Sequence, residues 1–245
     1  DLTPHVRWGA ENLLAIRLDN PPHSSRWYPG GGLYRNVWLL KVHPVHVAQW
    51  GTFITTPQVS TDSATVVLRV HIRNQSNQVA DLTVTTQLFM LDREGHRIEP
   101  AVATFAPIRT RVPAKGSTEV EAQLTLAHPK LWGPPPRQTP NRYVAVTTLW
   151  QGQQALDQYE TRFGIRALRF DPDAGLYVNG ERIEIKGVNL HHDLGALGAA
   201  FNVRAAERQL ELLREMGANA IRTAHNPPAP ELLELTDRMG FLVLN

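Results

Sequence analysis

The chain has 245 residues, 42% hydrophobic and 20% charged, with a net charge of +2 when histidine is neutral. Those totals suit a globular protein of one to three domains with a sizeable core. The absence of cysteine excludes disulfides and thiolate metal sites. No apolar run nears the ~20 residues of a membrane-spanning helix, and the basic residues are too scattered to form a nucleic-acid footprint.

The chain starts at Asp1, with neither an initiator Met nor a signal peptide. We expect the native N-terminus to lie upstream, and both periplasmic or secreted and cytoplasmic locations fit. Residues 1–47 read as the tail of a β domain. Residues 11–20 (ENLLAIRLDN) alternate in part and stop at Pro21-Pro22, and residues 26–47 carry a Gly-rich turn followed by a strand of Val, Trp and Leu. Two or three strands are marginal alone, so this piece is expected to pack on the next domain or to need partners from upstream. Gly30, Gly31 and Gly32 are not a phosphate loop, since no helix follows. Trp27 and Tyr28 read as packing or as an aromatic platform for a sugar.

Residues 48–166 carry about seven strand-like runs at the spacing of an all-β, immunoglobulin-like sandwich. Residues 65–72 alternate, with Val66, Leu68, Val70 and Ile72 on one face. Residues 81–91, 119–126, 143–150 and 155–164 continue the set. The Pro-rich stretch 128–141 cannot be a central strand and is expected to be a long connection anchored by Leu131 and Trp132.

Residues 167–245 change period. Asn179-Gly180 signals a two-residue hairpin turn. The spacing then predicts a first parallel strand over 183–188 and a helix over 203–216, capped by Asn202 and stopped by Gly217. A second strand follows over 218–223, then a helix opening at Pro230 and ended by Gly240, and a third strand over 241–244. Strand–helix repeats of this kind give a parallel sheet, and ligands of such sheets bind beyond the carboxyl ends of the strands. His191, His192 and Asp193 follow the first strand; Arg222, His225 and Asn226 close the second. A closed eight-unit barrel takes ~250 residues, yet only 70 run from Leu176 to Asn245. We therefore expect a piece of a longer enzyme. An open edge at FLVLN would invite association, and with it a homo-oligomer.

Each site residue also has a plain structural reading. Arg222 could be an ion-pair partner, His191 and His192 could cap backbone groups, and His225-Asn226-Pro227-Pro228 could be only a turn before a helix. No His-x-x-x-His pair signals zinc.

Four stretches resemble glycoside hydrolase family 2, the family of β-galactosidases, β-glucuronidases and β-mannosidases: RWYPGGGLYRNVWL (26–39), LWGPPPRQTPNRY (131–143), IKGVNLHHDLGALGA (185–199) and GANAIRTAHNPPAPELLELTDRMGFLVLN (217–245). The resemblance implies three parts. Residues 1–47 would be the C-terminal part of a jelly-roll sugar-binding domain, 48–166 an immunoglobulin-like β-sandwich, and 167–245 the N-terminal part of a catalytic TIM barrel. It implies retaining hydrolysis of β-glycosides by two Glu residues, both expected after Asn245, so that no residue of this chain is catalytic. His191 would bind the glycone, Arg222 would hold the nucleophile carboxylate, and His225 would donate to sugar hydroxyls. Asn226 replaces the family's usual Tyr. His192 and Asp193 resemble the galactosidase-like HHD variant rather than the HED of glucuronidases.

Ser24, Ser25 and Arg26 stand where some galactosidases place an Asp that reaches the site, so neither that contact nor a sodium site is read. No cofactor is identified, and ligands for any Mg or Na of the full-length enzyme are expected outside this chain. The expected partner is a β-linked sugar, with no nucleic acid and no membrane. Rival readings are a non-catalytic carbohydrate-binding or adhesion module built on the β domains, and a different, metal-dependent barrel enzyme.

Overall fold

The computed structural model describes residues 1–23 and 32–245. Two compact units divide the chain, Asp1–Asn36 and Val37–Asn245. In the first, no strand forms among the described residues. Its local order is hydrogen bonding around turns: His5 N donates to Leu2 O at 2.9 Å, and Asn12 Oδ1 accepts from Arg7 N at 2.8 Å while Asn12 Nδ2 donates to Arg7 O at 2.9 Å. The expected strand over 11–20 is absent, and Leu13, Leu14, Ile16 and Leu18 are exposed. A strand needs a hydrogen-bonded neighbour, and the described residues of this unit offer none. The readings on Ser24, Ser25, Arg26, Trp27, Tyr28, Gly30 and Gly31 lie outside the described residues.

The second unit begins with the sandwich. One sheet has the order β1 (Val45–Val59), β2 (Ser63–Asn74), β6 (Ser117–Ala127). The other runs β4 (Arg97–Thr104), β3 (Ala80–Leu91), β7 (Arg142–Gln151), β8 (Gln154–Phe163), with β5 (Ile108–Val112) pairing the first half of β3. All pairings are antiparallel.

Alternation in sequence becomes alternation in burial, because successive side chains of a strand point to opposite faces. Val66, Leu68, Val70 and Ile72 of β2 meet Leu82, Val84 and Leu88 of β3 and Tyr143, Ala145 and Leu149 of β7 in one core. Tyr143, 2% exposed, keeps its hydroxyl satisfied by accepting from Lys130 N at 2.7 Å. β7 is central and buries its outer face as well, with Val144 and Val146 packed beside Phe89 and Leu91.

A three-stranded antiparallel unit follows: β9 (Leu168–Asp171), β10 (Gly175–Val178) and β11 (Glu181–Ile183). Asn179 and Gly180 turn between the last two at φ 53° and 82°, the left-handed pair that a tight hairpin requires.

The chain then makes β12 (Gly187–Leu190), a 3-10 turn at Gly195–Leu197, α1 (Val203–Glu215), β13 (Ala220–Thr223), α2 (Pro230–Met239) and β14 (Leu242–Leu244). The three strands pair in parallel in the order β12, β13, β14. The first parallel strand therefore starts at Gly187, four residues later than expected. Residues 181–183 are taken by the hairpin, whose register Leu176↔Ile183 holds them.

Both helices use the predicted ends. Asn202 Oδ1 accepts from Ala205 N at 3.0 Å, Pro230 opens α2, and Gly240 closes it at φ 76°. Ala206 and Leu210 of α1 and Leu232, Leu235 and Met239 of α2 pack against Ile221, so the helices cover one face of the parallel sheet.

The opposite face is covered only in its lower half. Gly187, Ala220 and Leu242 share one register row, and Leu176, Val178 and Trp132 lie on it. The next row of that face is Asn189, Arg222 and Leu244, all exposed.

Candidate functional site

The open row and the strand ends above it hold the predicted residues. Alternation along β13 sends Ile221 and Thr223 to the helices and Arg222 to the bare face. Arg222 is exposed and makes no ion pair or side-chain hydrogen bond among the described residues. Its five donors are available to an incoming anion or carboxylate.

Beyond β12 and β13 two histidines meet. The rings of His191 and His225 stand 5.3 Å apart between centroids at 89°, edge to face. The strand ends below them are joined, since Ala224 N donates to Leu190 O at 2.9 Å. The peptide between Ala224 and His225 is cis. Both histidines are exposed, as is Asn226. The stretch His191–Asp193 is divided by backbone geometry. His192 adopts φ 56° and turns inward, so that its Nε2 is buried and has no hydrogen-bond partner among the described residues. Asp193 spends one carboxylate oxygen on its own loop, accepting from Gly195 N at 2.8 Å. His191, Arg222 and His225 are thus presented outward, whereas His192 and Asp193 shape the loop.

Sequence reasoning missed one link. Thr223, 4% exposed, donates its hydroxyl hydrogen to Asn245 Oδ1 at 2.8 Å and so ties the ends of β13 and β14. Two polar residues at strand carboxyl ends were the available signal. Asn189, in register with Arg222, was missed in the same way.

A separate cleft of about 150 Å³ lies between the sandwich and α2, lined by Trp132, Arg142, Arg162, Arg166, Glu234 and Asp237 among others. Its guanidiniums come from the sandwich side and its carboxylates from the helix. Arg162 and Glu234 pair directly at 3.3 Å. Burial pushes the Asp237 carboxyl above the ordinary carboxylate value, against the pull of Arg166 and Arg142. Among the described residues no cluster of three or more His, Asp or Glu is arranged to hold a metal ion, and no helix is long and apolar enough to cross a membrane.

Comparison with known proteins gives the same frame. Residues 45–166 match the model of glycosyl hydrolases family 2, and residues 172–245 match that of the glycosyl hydrolases family 2 TIM barrel domain. The chain is 44% identical to beta-galactosidase BoGH2A of Bacteroides ovatus, over 100% of this chain and 28% of that protein. It is 30% identical to a putative beta-glucuronidase of Formosa agariphila, over 100% of this chain and 22% of that one. The crystal structure of a glycosyl hydrolase family 2 member from Bacteroides cellulosilyticus superposes with a TM-score of 0.89 at 37% identity, covering 100% of this chain and 32% of that chain. The chain spans between a fifth and a third of the length of these three relatives. The sandwich followed by the opening of a parallel β/α barrel is the architecture of the matched models, and the chain belongs to glycoside hydrolase family 2.

Proposed function

We propose that this chain supplies part of the sugar site of a retaining β-glycosidase whose substrates are β-galactosides. The observation that carries the reading is the set His191, Arg222 and His225 at the carboxyl ends of adjacent parallel strands, two of them in ring contact at 5.3 Å. Imidazole N–H groups and nitrogen lone pairs suit the hydroxyls of a sugar ring. A guanidinium beside the nucleophilic carboxylate keeps it ionised and fixes its orientation. In a retaining enzyme that carboxylate and the acid/base carboxyl stand ~5–5.5 Å apart across the scissile bond. We assign both to Glu residues beyond Asn245, so the 245-residue chain by itself turns over no substrate.

The same proposal takes residues 1–47 as the close of a jelly-roll domain, 48–166 as the immunoglobulin-like domain and 167–245 as the start of the barrel. It includes self-association through the free edge of β14, which sedimentation at high dilution tests; a monomer removes that part.

The His192-Asp193 pair and the galactosidase relative support galactose as the glycone. A β-glucuronide is the second reading, supported by relatives named as beta-glucuronidases. Assay of the intact enzyme with aryl β-galactoside, β-glucuronide and β-mannoside decides among them through kcat/KM. We expect the galactoside to lead, and Arg222→Ala to abolish turnover of all three. Turnover by the 245-residue chain alone would overturn the assignment of the carboxylates.

A further inference from the structure

The Pro-rich connection at 131–141 does more than join two strands of the sandwich. Trp132 is 3% exposed, yet its apolar neighbours are Leu176, Val178, Ala220 and Leu242, outside the sandwich. Its Nε1 donates to Asp237 O at 2.8 Å. That carbonyl is one of the last four of α2, which have no partner within the helix. An indole therefore supplies both the apolar face under the sheet and the donor that the helix end needs.

Two side-chain amides, Asn179 of the hairpin and Gln138 of the connection, tie the backbone of Trp132 to the hairpin. Asn179 Nδ2 donates to Trp132 O and to Gln138 Oε1, each at 2.8 Å, and Gln138 Nε2 donates to Val178 O at 2.9 Å. Pro135 and Pro140 press on the C-terminal cap of α2 so closely that a β-carbon on Gly240 would come within 2.4 Å of Pro135 Cδ.

His225 lies between β13, which leads to it, and α2, which leaves it. Trp132 touches Ala220, where β13 starts, and Asp237, where α2 ends. Those are the ends remote from His225. The strand is about 10 Å long and the helix about 15 Å, and over such lengths gripping one end sets the other. We propose that Trp132 is a positioning residue, by which the sandwich grips the remote ends of β13 and α2 and holds His225 against His191. The inference rests on the proposed site only in giving that histidine contact a purpose.

The test uses the 245-residue chain and its Trp132→Phe, Trp132→Ala and Asn179→Gly variants. Phe keeps an aromatic ring and loses the N–H. Asn179→Gly suits the left-handed turn and removes both amide donors while Trp132 stays. Backbone hydrogen exchange and the nuclear Overhauser contact between the two imidazoles are read in the folded protein. We expect β3 and β7 to exchange as before and β13 and α2 to exchange roughly fivefold to tenfold faster in Trp132→Phe. The His191–His225 contact weakens in parallel, and Asn179→Gly follows at smaller scale. If Trp132→Ala does not fold, the other two variants decide.

Faster exchange with the histidine contact unchanged would reduce Trp132 to a structural prop and overturn the proposal, as would no change at all. Substrate is not needed, so absence of glycosidase activity in the intact enzyme would sink the proposed function and leave this result standing.

Discussion

The sandwich and the parallel sheet solve one problem at opposite levels of self-sufficiency. Each sheet of the sandwich needs cover on one main face, and the other sheet provides it, so Val66, Ile72, Leu88 and Leu149 reach 0% exposure. A parallel sheet needs both faces covered. Here the helices cover one face, and the other is half covered by a hairpin and by a tryptophan borrowed from the sandwich. The half left bare carries Asn189, Arg222 and Leu244 below His191 and His225. The self-contained region is thus chemically quiet, and the dependent one presents the polar groups that can meet a ligand.

Core deletions probe that contrast hardest. Leu68→Ala in the sandwich and Leu210→Ala in α1 each remove a side chain that is 2% exposed or less. Each should cost about 2–5 kcal/mol. In urea, Leu68→Ala should lower the midpoint for the sandwich. Leu210→Ala should accelerate exchange in α1, α2 and β13 while β2 and β7 keep their protection. One shared transition in both variants would merge the two regions into a single cooperative unit.

Removing the cap of α1 is milder. Asn202→Ala should destabilise that helix by about 1 kcal/mol. The loss should appear as faster exchange in its first turn, where Asn202 accepts from Ala205 N.

The joint between the regions should respond to pH. Burial raises the Asp237 carboxyl above its ordinary value of 3.8. The folded form then binds the proton more tightly than the unfolded one, so this group adds stability at low pH and loses it as pH rises through the folded value. Asp237→Asn should match or slightly exceed the native thermal midpoint at pH 7. That advantage should close as pH falls toward 4. Asp237 keeps solvent contact along the cleft, so the shift is expected to be small.

Smallest of all is the outer face of α1. Arg204 pairs with Glu211 at 2.8 Å and holds that carboxyl below the usual range. In water and salt such exposed pairs contribute little. Arg204→Ala should leave the thermal midpoint unchanged within error, and a clear drop would show that α1 depends on its surface charges.

Legibility followed the same division. Strands β2, β3, β6 and β8 could be read because one face of each is packed more deeply than the other, which imposes period two on the residues; β7, buried on both faces, could be read from its β-branched and aromatic run. β4 and β5 escaped notice because they are short, at eight and five residues, and so show too little of a period to read. The helix limits at Asn202, Pro230 and Gly240 were readable because caps are local chemistry. The start of β12 was misplaced because the hairpin competes for residues 181–183, and only pairing decides that contest. Residues 11–20 look like a strand and form none, and no strand pairs with them among the described residues of their unit.

Sequence alone determined which residues crowd the strand ends: His191, His192, Asp193, Arg222, His225 and Asn226. It did so because alternation and turn chemistry act between near neighbours. Only the tertiary structure decided that His191 meets His225, that His192 turns its Nε2 inward, and that Trp132 leaves its own domain to close the floor of another. Those outcomes depend on contacts between residues 34 to 105 positions apart and on one residue at φ 56°, and no local pattern encodes them.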